Sequence, residues 1–153
     1  MRYIVFLMLI AVGFQSCIKK GCALTQNTSS APQAEQDELQ DYITRNNITA
    51  VKDPTGYFYS IITPGDNNKP TLCSNLSVSY TGWLTNGTIF DSGSTSFQLN
   101  TLIEGWKRAL PKIGVGGKIK MYLPPTFAYG SRGVGSIPPN SILVFEVELR
   151  EIF

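Results

Sequence analysis

The 153-residue sequence contains no histidine. That absence removes Ser-His and Cys-His nucleophile pairs, imidazole general bases and most catalytic zinc sites. Charge is sparse as well: 16% of the residues are Asp, Glu, Lys or Arg, and the formal net charge is +2. So small an excess creates no field strong enough to draw nucleic acid. No apolar run approaches the roughly 18–20 residues of a spanning helix; residues 3–14 form a run of only twelve. Cysteine is limited to Cys17, Cys22 and Cys73, too few without histidine for a metal site. Glycine and proline, by contrast, are plentiful at 14 and 9 residues, which points to many turns and a β-rich domain. A hydrophobic fraction of 42% suits one folded domain with a tail, and neither a fibre nor a disordered polymer.

Residues 1–16 read as a signal peptide, with Arg2 as a minimal basic region and residues 3–14 as its apolar core. The run stops at Gln15-Ser16-Cys17, and a small residue before a Cys in that position has the form of a loose bacterial lipobox. On this reading Cys17 is the acylated start of an exported lipoprotein, anchored in a lipid bilayer and facing the periplasm or the cell surface. Several acyl chains on one residue anchor stably where a single chain is marginal. A plain secretory signal with a chance cysteine is the alternative. Export also allows a Cys22–Cys73 disulfide, although nothing in the spacing fixes it.

Residues 17–33 complete a lipidated start and a polar tether rich in Ser, Thr and Asn. Residues 34–55 form a helix and a connector: Leu39, Tyr42 and Ile43 share one helical face, with Glu35, Asp37 and Glu38 crowding the front. From residue 56 to 153 the chain reads as strands and turns. Extended segments fall at 57–62, 75–84, 88–90, 97–99, 117–123 and 141–153, with Asn86-Gly87 as a turn. Residues 103–110 carry the one helical pattern inside the domain, ended by Pro111. This order predicts an α+β domain whose antiparallel sheet is covered by a single short helix, with the N-terminal helix outside the domain. Residues 124–139 form a long Gly- and Pro-rich loop carrying Phe127, Tyr129 and Ile137. These apolar residues either rim a pocket or plug the end of the sheet.

Four stretches taken together resemble the FKBP-type peptidyl-prolyl cis-trans isomerases. They are Val78-Ser79-Tyr80-Thr81-Gly82, Gly87-Thr88-Ile89-Phe90-Asp91-Ser92, Leu102-Ile103-Glu104-Gly105-Trp106, and Phe127-Ala128-Tyr129-Gly130 leading to Ile137-Pro138-Pro139-Asn140. The closing run, residues 143–149, is similar to the family's last strand. The tethered start resembles bacterial exported FKBP lipoproteins, including the gliding-motility-associated group.

The resemblance implies a twisted antiparallel sheet of about five strands wrapped on one short helix. It also implies prolyl isomerase activity on proline-containing polypeptides, with macrolide FKBP ligands competing for the same pocket and no cofactor or metal. Trp106 would floor that pocket. Tyr80, Phe90, Phe97, Ile103 and Phe145 would wall it, with Leu102 at its edge and Ile137 on the following loop. The Tyr129 hydroxyl and the Ile103 backbone N–H would hold substrate carbonyls, and Asp91 would sit beside Tyr80 and the twisting amide. Asp91, Tyr129 and Phe90 stand as the catalytic set.

Such chemistry suits a chain without histidine, because rotating an amide breaks no bond and moves no proton. Two departures bear on the pocket rim. Residues 92–96 leave only a short loop after Asp91, and the stretch between Tyr129 and Pro138 is one residue short, with Val134 and Ser136 at altered positions. A non-catalytic binding or chaperone module of an envelope assembly, using the same cleft, is the competing reading.

Overall fold

The structure is a computed structural model that describes residues 25–153. The expected signal peptide, the acylation of Cys17 and the pairing of Cys22 lie outside the described residues. Cys73 takes part in a disulfide.

The chain runs through helix α1 (Gln33–Arg45), strands β1 (Val51–Lys52), β2 (Phe58–Thr63), β3 (Asn75–Leu84) and β4 (Ile89–Gln98), then helix α2 (Glu104–Ala109), β5 (Lys118–Leu123) and β6 (Leu143–Ile152). The strands form one antiparallel sheet in the order β1-β2-β5-β6-β3-β4. The described residues form six strands rather than about five, the addition being the two-residue β1. The expected short pieces at 88–90 and 97–99 are joined: residues 92–96 form the middle of β4 and no loop. Alternation of side chains across the sheet decides burial. On one face Leu76, Val78, Ile119, Met121, Phe145 and Val147 pack with Trp106, Ala109 and Leu110 from α2 and the turn after it. A register slip of one residue would turn all of them outward.

The second face is also covered. Leu39 and Ile43, one turn apart on α1, pack with Phe58, Tyr122, Ile142 and Val144. The helix that precedes the domain in sequence therefore lies against the back of its sheet. The Glu35 carboxylate at its front accepts from the backbone N–H and the hydroxyl of Thr126, at 2.9 and 2.7 Å. That pair fixes the start of the segment leading to Tyr129. Gly105 serves positioning in another way. A Cβ there would overlap the Leu123 side chain, so only glycine lets α2 approach β5 this closely and seat Trp106 under the sheet.

Candidate functional site

The pocket grows from three neighbouring elements. Strand β3 supplies Tyr80, its edge neighbour β4 supplies Asp91 and Phe97, and the entry to α2 supplies Leu102, Ile103 and Trp106. Phe145 comes from β6 and Tyr129 from the loop beyond β5. Together they enclose a cavity of about 440 Å³.

Trp106 is buried and stands at the centre of an aromatic box. Its ring meets Tyr80 at 5.4 Å, Phe145 at 5.5 Å and Phe97 at 6.3 Å between centroids, all edge to face. Perpendicular rings place positive edges on negative faces, which fixes their mutual angles. The walls are thereby predominantly aromatic and apolar, as ligand pockets generally are.

Polar groups converge at the rim. The Tyr80 hydroxyl donates to Asp91 Oδ2 at 2.7 Å. Burial first, then this bond and the Asp91 charge, push the Tyr80 phenol up to about 12. The Tyr129 phenol is also raised, by burial and then by the charge of Asp91. All three groups thus share one corner, with both phenols neutral and able to donate at physiological pH. Ile103 is the residue capping the start of α2. Its carbonyl accepts from the Trp106 and Lys107 amides at 3.1 and 3.3 Å. Its own N–H stands before the helical ladder begins, where no intrahelical acceptor exists.

Of the residues expected at the site, Tyr80, Asp91, Phe97, Leu102, Ile103, Trp106, Tyr129 and Phe145 are brought together. Phe90 and Ile137 stand outside the lining. Phe90 packs behind it, edge-on to Phe145 at 5.4 Å, in space left open by Gly82. Ile137 is buried in the core beneath the loop and pairs its backbone with Val134. Thr101 also lines the pocket, a position no sequence signal marks. Its hydroxyl donates to the Gln98 carbonyl at 2.7 Å, in a short 3₁₀ turn that hydrophobic patterning does not reveal.

A sheet wrapped on one short helix, with an aromatic pocket open at one side and the Tyr80–Asp91 pair at its mouth, defines a small α+β domain. The chain belongs to the FKBP-type peptidyl-prolyl cis-trans isomerase family, whose sequence profile matches residues 66–150. It is 43% identical over 103 residues to the FKBP-type peptidyl-prolyl cis-trans isomerase FkpA of Escherichia coli, a match covering 64% of this chain and 38% of that protein. It is 44% identical over 102 residues to FK506-binding protein 1 of Dictyostelium discoideum, covering 61% of this chain and 95% of that one. The crystal structure of Escherichia coli FkpA superimposes with a TM-score of 0.71 at 35% identity, over 78% of this chain and 59% of that one. A peptidyl-prolyl cis-trans isomerase of Pseudomonas syringae superimposes with a TM-score of 0.68 at 30% identity, over 82% and 98%. The match thus spans little more than a third of FkpA and nearly all of the Dictyostelium protein.

Proposed function

We propose that this chain is a peptidyl-prolyl cis-trans isomerase acting on proline-containing polypeptides. The observation that carries the reading is the aromatic box around Trp106 with the Tyr80–Asp91 pair at its mouth. The barrier to amide rotation is about 18–20 kcal/mol, and the uncatalysed Xaa-Pro reaction takes about tens to hundreds of seconds. The planar amide is favoured by charge separation between nitrogen and oxygen, which water stabilises. A proline ring seated on Trp106 leaves that water behind, so the less polar twisted amide gains relative to the planar one. Stabilising the transition state over the ground state is what raises the rate.

The polar groups act on the same step. Twisting withdraws nitrogen density from the carbonyl carbon, which becomes more positive, and the Asp91 carboxylate favours that charge. Tyr80 fixes the orientation of the carboxylate. The Tyr129 hydroxyl and the Ile103 N–H hold carbonyls on either side of the proline, so that one part of the chain rotates against the other.

The expected residence is the outer side of a membrane, with acylated Cys17 in the bilayer and exported proteins as clients. What supports this is the apolar run of residues 3–14 followed by Gln15-Ser16-Cys17. Among the described residues no helix is long and apolar enough to cross a membrane. Macrolide ligands are expected to compete for the pocket, in keeping with the name of the Dictyostelium relative.

Exchange NMR on an Xaa-Pro tetrapeptide tests the site. The wild-type chain should interconvert cis and trans signals rapidly. Tyr129→Phe and Asp91→Ala should slow the interconversion about tenfold or more, the cost of one hydrogen bond to a charged or reacting group. A folded wild-type chain that leaves the two signals at the uncatalysed rate would turn the reading toward a binding module.

A further inference from the structure

Strand β4 is the outer edge of the sheet, and its middle carries none of the usual edge protection. Natural edges are blunted by charge, proline or a bulge that twists the strand away. Ser92-Gly93-Ser94-Thr95-Ser96 contains neither charge nor proline, all five residues are exposed, and they pair with β3 without a register shift. The one irregularity of this pair lies beyond Asp91.

The direction of each backbone group follows from the register. The Leu99 N–H donates to the Ser74 carbonyl at 3.0 Å. Facing residues of an antiparallel pair alternate between bonded and unbonded. Phe97, Thr95, Gly93 and Asp91 therefore turn their N–H and C=O toward β3. Ser96, Ser94 and Ser92 turn theirs outward. The Phe153 N–H donating to the Asn75 carbonyl at 3.0 Å on the opposite side of β3 agrees with this phase.

Side chains follow the same period. Asp91 and Phe97, at the two ends of this stretch, both line the pocket. Gly93 lies between them on that face, and a Cβ there would find nothing within 4 Å. Among the described residues, a free ladder of N–H and C=O groups thus runs along the mouth of the pocket, bounded by two pocket residues.

We propose that the outer edge of β4, through Ser92, Ser94 and Ser96, takes the polypeptide substrate as an added strand while its proline occupies the pocket; this rests on the isomerase reading. The occupant is an extended, unfolded chain because pairing is through backbone alone and places no demand on client sequence. A second copy of this chain fits less well. Stable dimers bury roughly 1,200–2,000 Å² with an apolar centre, whereas this edge offers serine, glycine and threonine. Weak, reversible pairing suits a substrate that must leave after each turnover. The edge would therefore select substrates by length and extension on one side of the proline.

Amide exchange measured by NMR on the full chain tests this with two peptides. One is a proline tetrapeptide, and the other a ten-residue peptide with β-branched residues flanking the same Xaa-Pro. Both should shift the indole resonance of Trp106. Only the longer should slow the amides of Ser92, Ser94 and Ser96, by about tenfold or more, while Gly93 and Thr95, already bonded to β3, stay unchanged. Ser94→Pro removes an outward N–H without breaking the β3 ladder. It should lower the ratio of kcat/KM for the long peptide to that for the short one by about fivefold.

A Trp106 shift with no alternating protection overturns the edge proposal and leaves the pocket reading standing. No Trp106 shift and no isomerisation overturns both. Protection that grows with protein concentration and needs no peptide assigns the edge to a second copy and overturns the substrate proposal.

Discussion

The Tyr80 hydroxyl reaches Asp91 diagonally across two strands, at 2.7 Å. The register places Tyr80 opposite Gly93 and Asp91 opposite Gly82. Neither glycine offers a side chain to intervene, so the phenol crosses the open position and meets the carboxylate two residues along. Diagonal neighbours in a sheet are about 7–8 Å apart at Cα, within reach of an aromatic side chain. The pair holds Asp91 at the mouth of the pocket and keeps one of its oxygens bonded.

The Tyr80 phenol has a pH signature, set by burial first and then by this bond and the Asp91 charge. The Tyr80 phenol is pushed up to about 12 in the folded chain, against about 10 in an unfolded one. Between those values the unfolded chain has lost the proton and the native chain keeps it, so stability falls as pH rises. The contribution is complete below about pH 10 and lost through about pH 12. Tyr57 and Tyr122 are raised by burial and add to the same fall. Melting temperatures from pH 9 to 12 should drop less steeply in Tyr80→Phe than in the wild type. Equal slopes would contradict the assignment.

Gly82→Ala should destabilise the fold by about 1–3 kcal/mol, the usual cost of overpacking. A Cβ at this position meets Phe90 Cζ at 2.5 Å and Phe145 Cε1 at 3.0 Å, which forces Phe90 off its edge-on contact. Urea unfolding of Gly82→Ala, Phe90→Leu and the double variant checks this. The double variant should lose less than the sum of the two single changes, because the contact is shared. Simple additivity would show that Phe90 is not what the new methyl meets.

Trp106 combines a structural and a functional role, and two substitutions separate them. Trp106→Ala empties the centre of the aromatic box and should cost about 3–5 kcal/mol in urea unfolding. Trp106→Phe retains an aromatic floor of smaller area. It should stay folded and lower kcat/KM by about tenfold or more through a poorer fit to the proline ring. Unchanged kcat/KM in a folded Trp106→Phe would remove Trp106 from the floor.

Membrane attachment is expected to depend on Cys17. If acyl chains on Cys17 supply the anchor, as proposed, Cys17→Ser should move the protein from the membrane pellet to the soluble fraction in cell fractionation. Pelleting retained in the variant would place the anchor elsewhere.

Much of this architecture is legible in the sequence, for a physical reason. Strands β3, β5 and β6 alternate Leu76, Val78 or Ile119, Met121 with polar residues because one face meets α2. The Ile103–Trp106 motif announces the helix that floors the pocket. Strand β4 was legible only at its ends. Ser92 to Ser96 belong to an exposed edge with no apolar face, so hydrophobic periodicity carries no signal and the stretch reads as a loop. Strand β1 is too short to carry a pattern. The docking of α1 on the back of the sheet was half visible in Leu39 and Ile43. Its partners Tyr122 and Val144 read as the polar-side members of their strands until both faces are known to be covered. Phe90 stands behind Phe145, and Thr101 at the rim, because pocket depth is set by three-dimensional packing and not by spacing along the chain.

The central claim is that the Trp106 pocket accelerates Xaa-Pro rotation. Its most direct test is a protease-coupled isomerisation assay on the full chain, with and without a macrolide FKBP ligand. The account predicts acceleration that rises in proportion to protein concentration and is abolished by the macrolide. A chain shown by circular dichroism to be folded, with no acceleration at any concentration, would contradict it.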